Sequence, residues 1–418
     1  MNYDIIIIGA GPAGLCLAKA VADMGLRIAM VERQMESDLA EPAFDGREIA
    51  LTHASMRLLR QIGVWKHIPE TDISPLCTAK IMNGASPHAL QIGTELTGHT
   101  QLGSLIPNHL IRKAAWLAMR ETVGITLFSG MHAETIETYP NEVRIRLNDG
   151  SQLTASLLIA ADSRFSETRR ALGIDADMRD FGKSMLVCRM HHEHDHQQTA
   201  WEWFDHGQTL ALLPLDRCLS STVITVTGIE ARRLSTLPEE QFAREIERRY
   251  DYRLGNMRLE STRHVYPLVG VYARRFVGTR FALVGDAAVG MHPVTAHGFN
   301  FGLASIERLT DSLGIALRQG RDPGDPTLLS RYQRRHRKGT LPLFLTTCGI
   351  VELYTNDRMP ARWLREATLR IGGRLLPFQR AIASTLVDDG PVDTPIWKHL
   401  KNGIDHLKPA LSGLRSNR

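Results

Sequence analysis

The sequence predicts an α/β protein in which a parallel-sheet domain is interrupted by an antiparallel sheet and followed by a helical C-terminal region. Three observations predict it. Tyr3-Asp4-Ile5-Ile6-Ile7-Ile8 runs straight into Gly9-Ala10-Gly11-Pro12-Ala13-Gly14, a strand ending in a glycine-rich turn. Leu157-Leu158-Ile159-Ala160-Ala161 and Phe281-Ala282-Leu283-Val284 are further unbroken apolar runs, the pattern of strands buried on both faces of a parallel sheet. From about residue 180 the texture changes to the alternation of antiparallel strands.

Composition bounds the class. With 418 residues, 43% hydrophobic and 23% charged, the chain is an ordinary globular one of two or three domains, not disordered, collagen-like or coiled-coil. Fifty Lys and Arg against forty-five Asp and Glu leave +5, too mild a balance to indicate nucleic acid. Five scattered cysteines without a CxxC pair argue against a disulfide framework or a zinc site and suit a reducing cytosol. No apolar run approaches the ~18–20 residues that span a bilayer, and a strand starting at Tyr3 leaves no room for a signal peptide. The expectation is a cytoplasmic protein, soluble or resting on a membrane surface.

The elements follow in order. The turn at Gly9–Gly14 opens a helix over Leu15–Met24, and Ile28–Val31 is the second strand, closed by Glu32. Thr52 is the expected N-cap of a helix reaching Ile62, with Gly63 as its stop. A helix is expected over Ile106–Glu121. Arg144–Leu147, the Asn148-Asp149-Gly150 turn and Gln152–Leu158 predict a hairpin. Met185–Met190, Ala200–Phe204, Thr209–Leu213 and Ser220–Val226 read as antiparallel strands and Leu237–Tyr250 as one amphipathic helix. The last ninety or so residues read as helical. The expected division assigns 1–72, 100–178 and 270–340 to a nucleotide-binding domain, 73–99 and 179–269 to a substrate domain, and 341–418 to a helical tail.

A lone GxGxxG is weak evidence; one that follows a strand, opens a helix and precedes an acid at the end of the next strand is strong. The first glycine allows the tight turn, Gly11 lets a pyrophosphate approach the backbone, and Gly14 lets helix and strand pack closely. The helix N-terminus offers N–H groups to phosphate, and Glu32 an acceptor to a ribose. A second constellation follows a buried strand and precedes a long helix: Gly285-Asp286-Ala287-Ala288, His292-Pro293, and Gly298-Phe299-Asn300-Phe301-Gly302. An Asp there suits a ribityl hydroxyl, and the N-terminus of an Asn300–Leu317 helix suits the pyrimidine edge of a flavin.

Together these residues resemble the class A flavoprotein monooxygenases, the aromatic hydroxylases of the p-hydroxybenzoate-hydroxylase fold. The family's middle motif corresponds to Ala160-Ala161-Asp162-Ser163-Arg164-Phe165-Ser166-Glu167-Thr168-Arg169, with Ser163 where the family has Gly. Within the class the chain is most similar to the ubiquinone-biosynthesis ring hydroxylases (UbiH/UbiM-like). The resembling stretches are Gly46–Thr52, Leu210–Leu215, Tyr266-Pro267-Leu268 and Val284–Gly302. Val289 and Ala296-His297-Gly298 depart from the commoner His and Gly-Gln-Gly. The resemblance covers roughly residues 3 to 335 and implies a Rossmann-like FAD-binding domain carrying an inserted antiparallel substrate domain.

It also implies bound FAD, with NAD(P)H as a transient co-substrate, because no second GxGxxG unit is present. A C4a-hydroperoxyflavin would then hydroxylate the ring of a polyprenylated quinone precursor. By position, Gly9, Gly11, Ala13, Gly14, Glu32, Arg33, Arg47, Arg112, Asp162, Arg169, Asp286, Pro293, Gly298, Phe299 and Asn300 would hold FAD. His292 and His297 would assist proton transfer. Against these roles stand plainer ones: helix-edge arginines at Arg47 and Arg112, a helix N-cap at Asp286, packing histidines at His292 and His297.

The His191–His196 run reads as a polar turn rather than a metal site. Trp201-Glu202-Trp203 lacks the Ile-Pro of flavin halogenases and reads as a pocket or sheet wall. Between Arg358 and Leu386, six arginines and one acid interleave with Trp363 and several Leu and Ile. That pattern suits either a helix resting on anionic lipid at the inner membrane face or one docking on the FAD-binding domain. Two alternatives remain open at this point: hydroxylation of a small soluble phenol, and a non-catalytic scaffold resembling the GDP-dissociation inhibitors. Partners in a quinone-biosynthesis complex are a further expectation.

Overall fold

The computed structural model describes residues 2–205, 207–291, 298–355 and 376–388. His292, Pro293 and His297, and residues 358–375 of the basic tail, lie outside them.

Two large sheets organise the chain. The first holds eight strands, with the parallel core order Phe281–Leu283, Gln152–Ala160, Asn2–Ile8, Ile28–Glu32, Ile125–Ser129. Ile5, Ile6 and Ile7 are fully buried at its centre, as an unbroken apolar run requires. Helices Pro12–Ala22, Asn108–Arg120 and Gly298–Arg318 cover it and share its hydrophobic core. The second sheet holds nine strands, antiparallel except where Thr199–Asp205 pairs in parallel with Thr78–Asn83. One face packs on helices Gly228–Thr236 and Glu239–Arg249 through Leu186, Cys188, Trp203, Leu210, Leu212 and Ile224. A small sheet of Glu48–Leu51, Gly103–Pro107 and Ser74–Leu76 shares no strand pairing with either.

The expected elements appear with informative differences. Thr52 caps the His53–Gln61 helix, its hydroxyl accepting from Ser55 N. The helix expected from Ile106 begins at Asn108, because Gly103–Pro107 is a buried strand paired with Glu48–Leu51. The helix expected over Leu237–Tyr250 runs from Glu239 to Arg249, and a further helix that was not expected, Gly228–Thr236 capped by Thr227, precedes it across Leu237-Pro238. Ser74–Leu76 pairs in the small sheet, so of the 73–99 segment only Thr78–Asn83 and Leu90–Gly93 join the nine-stranded sheet. Helix Pro326–Thr355 runs straight across residue 341.

The histidine run is a partly solvated turn: His191, Glu193, His194 and Asp195 are exposed, whereas two rings turn inward. His192 and His196 are 1% and 4% exposed, and the His192 ring bonds His194 O and Ser220 Oγ. Burial lowers the His192 pKa to about 4, which keeps the ring neutral. Among the described residues no cluster of His, Cys, Asp and Glu has the arrangement to hold a metal.

Candidate active site

The three glycine-and-acid turns sit at the carboxyl ends of the parallel strands and touch one another. Gly9 ends the first strand with φ +107°, a conformation that favours glycine, and a Cβ there would lie 2.6 Å from Ala161 O. A Cβ on Gly14 would lie 1.9 Å from Gly9 O, so helix and strand meet backbone to backbone. The Ala13 methyl fills the space beside both Gly285 and Gly302, where added Cβ atoms would approach it to 3.1 and 3.7 Å. Sequence positions 13, 285 and 302 thus meet at one point. A strand order that continues to opposite sides of Asn2–Ile8 leaves a crevice at these carboxyl ends.

The crevice fits FAD in its donors and its space. Gly11 has nothing within 4 Å of where a Cβ would stand, which leaves room for a phosphate against the backbone. It is the N-cap of Pro12–Ala22, uses no side chain as a cap, and no acid stands in the first turn, so the positive helix end is uncompensated. Glu32, at the end of the next strand, accepts from Ala10 N at 2.6 Å and Gln34 N at 2.9 Å. Arg112 donates to Gln34 Oε1 at 3.0 Å, which brings its guanidinium to the same rim. Arg33 pairs with Glu167.

The middle motif is a brace. Asp162 Oδ1 accepts from Ser166 Oγ at 2.5 Å and Oδ2 from Thr168 N at 3.2 Å, while Ser166 caps Arg169 N. Arg169, 2% exposed, donates to Arg164 O and Ala287 O at 3.1 and 2.9 Å. Its guanidinium therefore ties the middle motif to the Gly285-Asp286 turn. Ser163 accepts from Phe165 N within its own turn. Asn300 is buried: Oδ1 accepts from Thr52 N at 3.1 Å and Nδ2 donates to Ala50 O at 2.8 Å. It pins the start of the Gly298–Arg318 helix to the Glu48–Leu51 strand. Beside it, Gly298 is open and Phe299 packs against the core. Arg47 binds Asp45 at 2.6 Å and lies over the Tyr266 ring, turned to the seam between the sheets.

Two features escaped the sequence reading. Arg164 binds Asp286 at 3.1 Å, an ion pair that holds the acid in place; its position inside the middle motif was the available signal. Glu48, its side chain wholly buried, pairs with Arg189 at 2.7 Å and ties the small sheet to the nine-stranded one. Burial pushes the Glu48 carboxyl up to about 7 although Arg189 pulls the other way. Nothing in the spacing of residues 48 and 189 announces that pair.

The fold and this crevice define the class, a flavin-dependent monooxygenase. The p-nitrophenol 4-monooxygenase PnpA of Pseudomonas putida superposes with a TM-score of 0.74 over 92% of this chain and 98% of its own, at 17% identity, a likeness of fold. The chain belongs to the family described as an FAD binding domain, which matches residues 2–340. It is similar to the ubiquinone hydroxylase UbiM of Neisseria meningitidis, 44% identical over 390 residues, 92% of this chain and 85% of that protein. It is also similar to the ubiquinone hydroxylase UbiL of Rhodospirillum rubrum, 32% identical over 90% of this chain and 87% of that one.

Proposed function

We propose that the chain hydroxylates the aromatic ring of a polyprenylated quinone precursor with O₂ and NAD(P)H. The observation that carries this is 44% identity to a ubiquinone hydroxylase along 92% of the chain. Bound FAD, reduced by NAD(P)H, supplies the activated oxygen that side chains cannot. The residues then have these tasks. Gly9, Gly11, Ala13 and Gly14 form the turn against which the pyrophosphate lies. Glu32 accepts from the adenosine ribose, with Arg33 and Arg112 at that rim. Asp286, held by Arg164, accepts from the ribityl chain, and Gly298, Phe299 and Asn300 present a helix N-terminus to the isoalloxazine. Asp162 and Arg169 position the Asp286 turn. Arg47 closes the seam beside the flavin. Pro293 is assigned to the cofactor, and His292 and His297 to proton transfer, from their places in the motif alone.

Expression in strains deleted for each ring hydroxylase of quinone biosynthesis is expected to restore quinone in at least one and clear its precursor. Restoration in none, with turnover of soluble phenols by the pure protein, overturns the lipid-quinone reading in favour of a small phenol.

We also propose that the protein works at the cytoplasmic face of the inner membrane, on a substrate that resides in lipid. No described helix is long and apolar enough to cross a membrane. The basic 358–386 stretch supports attachment by charge. Its described end docks on the protein itself: Ala383 and Val387 are buried against Leu76, Leu90, Ile92 and Leu102. Arg380 in that described end is exposed. Flotation with anionic vesicles is expected to carry the protein up and neutral vesicles to leave it; equal behaviour with both overturns the membrane role.

A further inference from the structure

The nine-stranded sheet has two unlike faces. Trp203, Leu210, Leu212, Ile224 and Cys188 on one face are buried under helices. On the other face Ile81, Ala200, Ala211, Leu213 and Val223 remain half-buried. Glu202 is the acid among these apolar residues.

Register places it. Glu202 stands opposite Ala211 and Ile81, Ala211 opposite Val223, Val223 opposite Val187, and Val187 opposite His264. The far end of this row meets the FAD-binding half. The His264 ring lies 5.7 Å from Phe44, Tyr266 OH donates to Asp45 O, and Arg189 binds Glu48. The near end meets the tail helix Leu376–Val387, where Ile81, Ala79 and Ala200 pack around Ala383 and Val387. Asp388 O, just past that helix, accepts from Ala54 N, two residues beyond the Thr52 that Asn300 binds. The row therefore runs from the tail helix, whose end is bonded to Ala54, to the FAD-binding half.

Neither carboxyl oxygen of Glu202 has a hydrogen-bond or ion-pair partner among the described residues. Its own face offers Thr209, Ala211 and Leu213 on one side and Ala79, Ile81 and Asn83 on the other. The tail helix brings Ile382, Ala383, Leu386 and Val387 to this cluster. The nearest cations of its own strand pairs, Lys80 opposite Trp201 and Arg253 over the Trp203 ring, belong to the other face. Asp45, Arg47, Glu48, Arg189 and His264 lie at the far end of the row, and Tyr250 lies beneath the sheet among the Trp203 cluster. Desolvation by these apolar walls raises the Glu202 pKa to about 8. An acid placed alone on an apolar wall has no structural partner to account for it, whereas a phenolic ring sliding along that wall presents one.

We propose that Glu202 is a catalytic residue: it hydrogen-bonds the ring hydroxyl of the aromatic substrate and exchanges that proton. This rests on the reading of the chain as a ring hydroxylase. In the step, the substrate O–H bond breaks, the proton joins a Glu202 carboxylate oxygen, and the electron pair stays on the ring oxygen and enriches the ring. O₂ is the oxidant and NAD(P)H the reductant, as in the overall reaction. When the ring carbon has taken its oxygen atom, its hydrogen leaves as a proton and the ring oxygen recovers the proton held by Glu202.

The test uses the full-length FAD-loaded protein, with Glu202→Gln and Glu202→Asp, on the phenol that the wild type hydroxylates. Wild-type hydroxylation is expected to rise with pH and level off above about 8, as the carboxyl loses its proton. Glu202→Gln is expected to bind FAD normally and oxidise NAD(P)H. It should hydroxylate at least about 100-fold more slowly, with the electrons leaving as H₂O₂ and the pH limb gone. Glu202→Asp should keep the limb. A Glu202→Gln protein with wild-type coupling, or one that is slow but keeps the wild-type pH limb, overturns the proposal. A wild type active only on small phenols overturns the lipid-quinone reading instead and leaves this test intact with that phenol.

Discussion

Gly14→Val is expected to yield protein that is poorly soluble and colourless, while Gly11→Ala yields protein that is folded and equally colourless. The two glycines lie three residues apart and act on different links of the chain from sequence to function. A Cβ on Gly14 would stand 1.9 Å from Gly9 O and 3.4 Å from the Ala161 methyl. The colliding atom is backbone in the central strand, so the helix itself must lift away from the most buried part of the core. Displacements of that kind belong to the large end of mutational effects, above about 4 kcal/mol. At Gly11 the same atom meets nothing, and φ of −65° suits any residue. Alanine there leaves the fold alone and fills the space a pyrophosphate needs. Soluble yield, thermal melting of the flavin-free protein and absorbance near 450 nm separate the two. A yellow Gly11→Ala protein with normal occupancy contradicts the assignment of this turn.

Glu32→Ala is expected to lower FAD affinity about 10- to 100-fold with the fold retained, and Glu32→Gln to recover part of the loss. The carboxylate accepts from Ala10 N and Gln34 N and so holds both the glycine turn and the next loop. Hydrogen bonds to a charged group contribute about 1.5–3 kcal/mol each, which converts to that range of affinity. The loss acts on the ribose site and on the turn that carries the pyrophosphate. Titration of flavin-free protein with FAD measures it. Equal affinity in wild type and Glu32→Ala removes Glu32 from the site.

Much of this was legible in the sequence because the signals are local. A strand buried on both faces must be apolar throughout, so Ile5–Ile8, Leu157–Ala161 and Phe281–Val284 announced the parallel sheet without any partner being known. A glycine turn between strand and helix, and an acid ending the next strand, are readable for the same reason. Each constraint lies within a few residues of chain. The Gly103–Pro107 strand was missed because pairing with Glu48–Leu51 overrides helical periodicity, and the short Gly228–Thr236 helix was not foreseen.

Arg169 shows the limit at the site. Its place in the middle motif suggested a cofactor contact, but burial under Ala287 makes it a brace between two turns 118 residues apart in sequence. The same holds for Arg164 with Asp286 and Glu48 with Arg189. By itself the sequence determined where the glycine turns and their neighbouring acids fall, since backbone freedom and strand burial are written in residue type. Only the tertiary structure decided which charged side chains hold one another and which acid is left alone on the pocket wall. Those outcomes depend on desolvation and partner distance, and both arise between residues far apart along the chain.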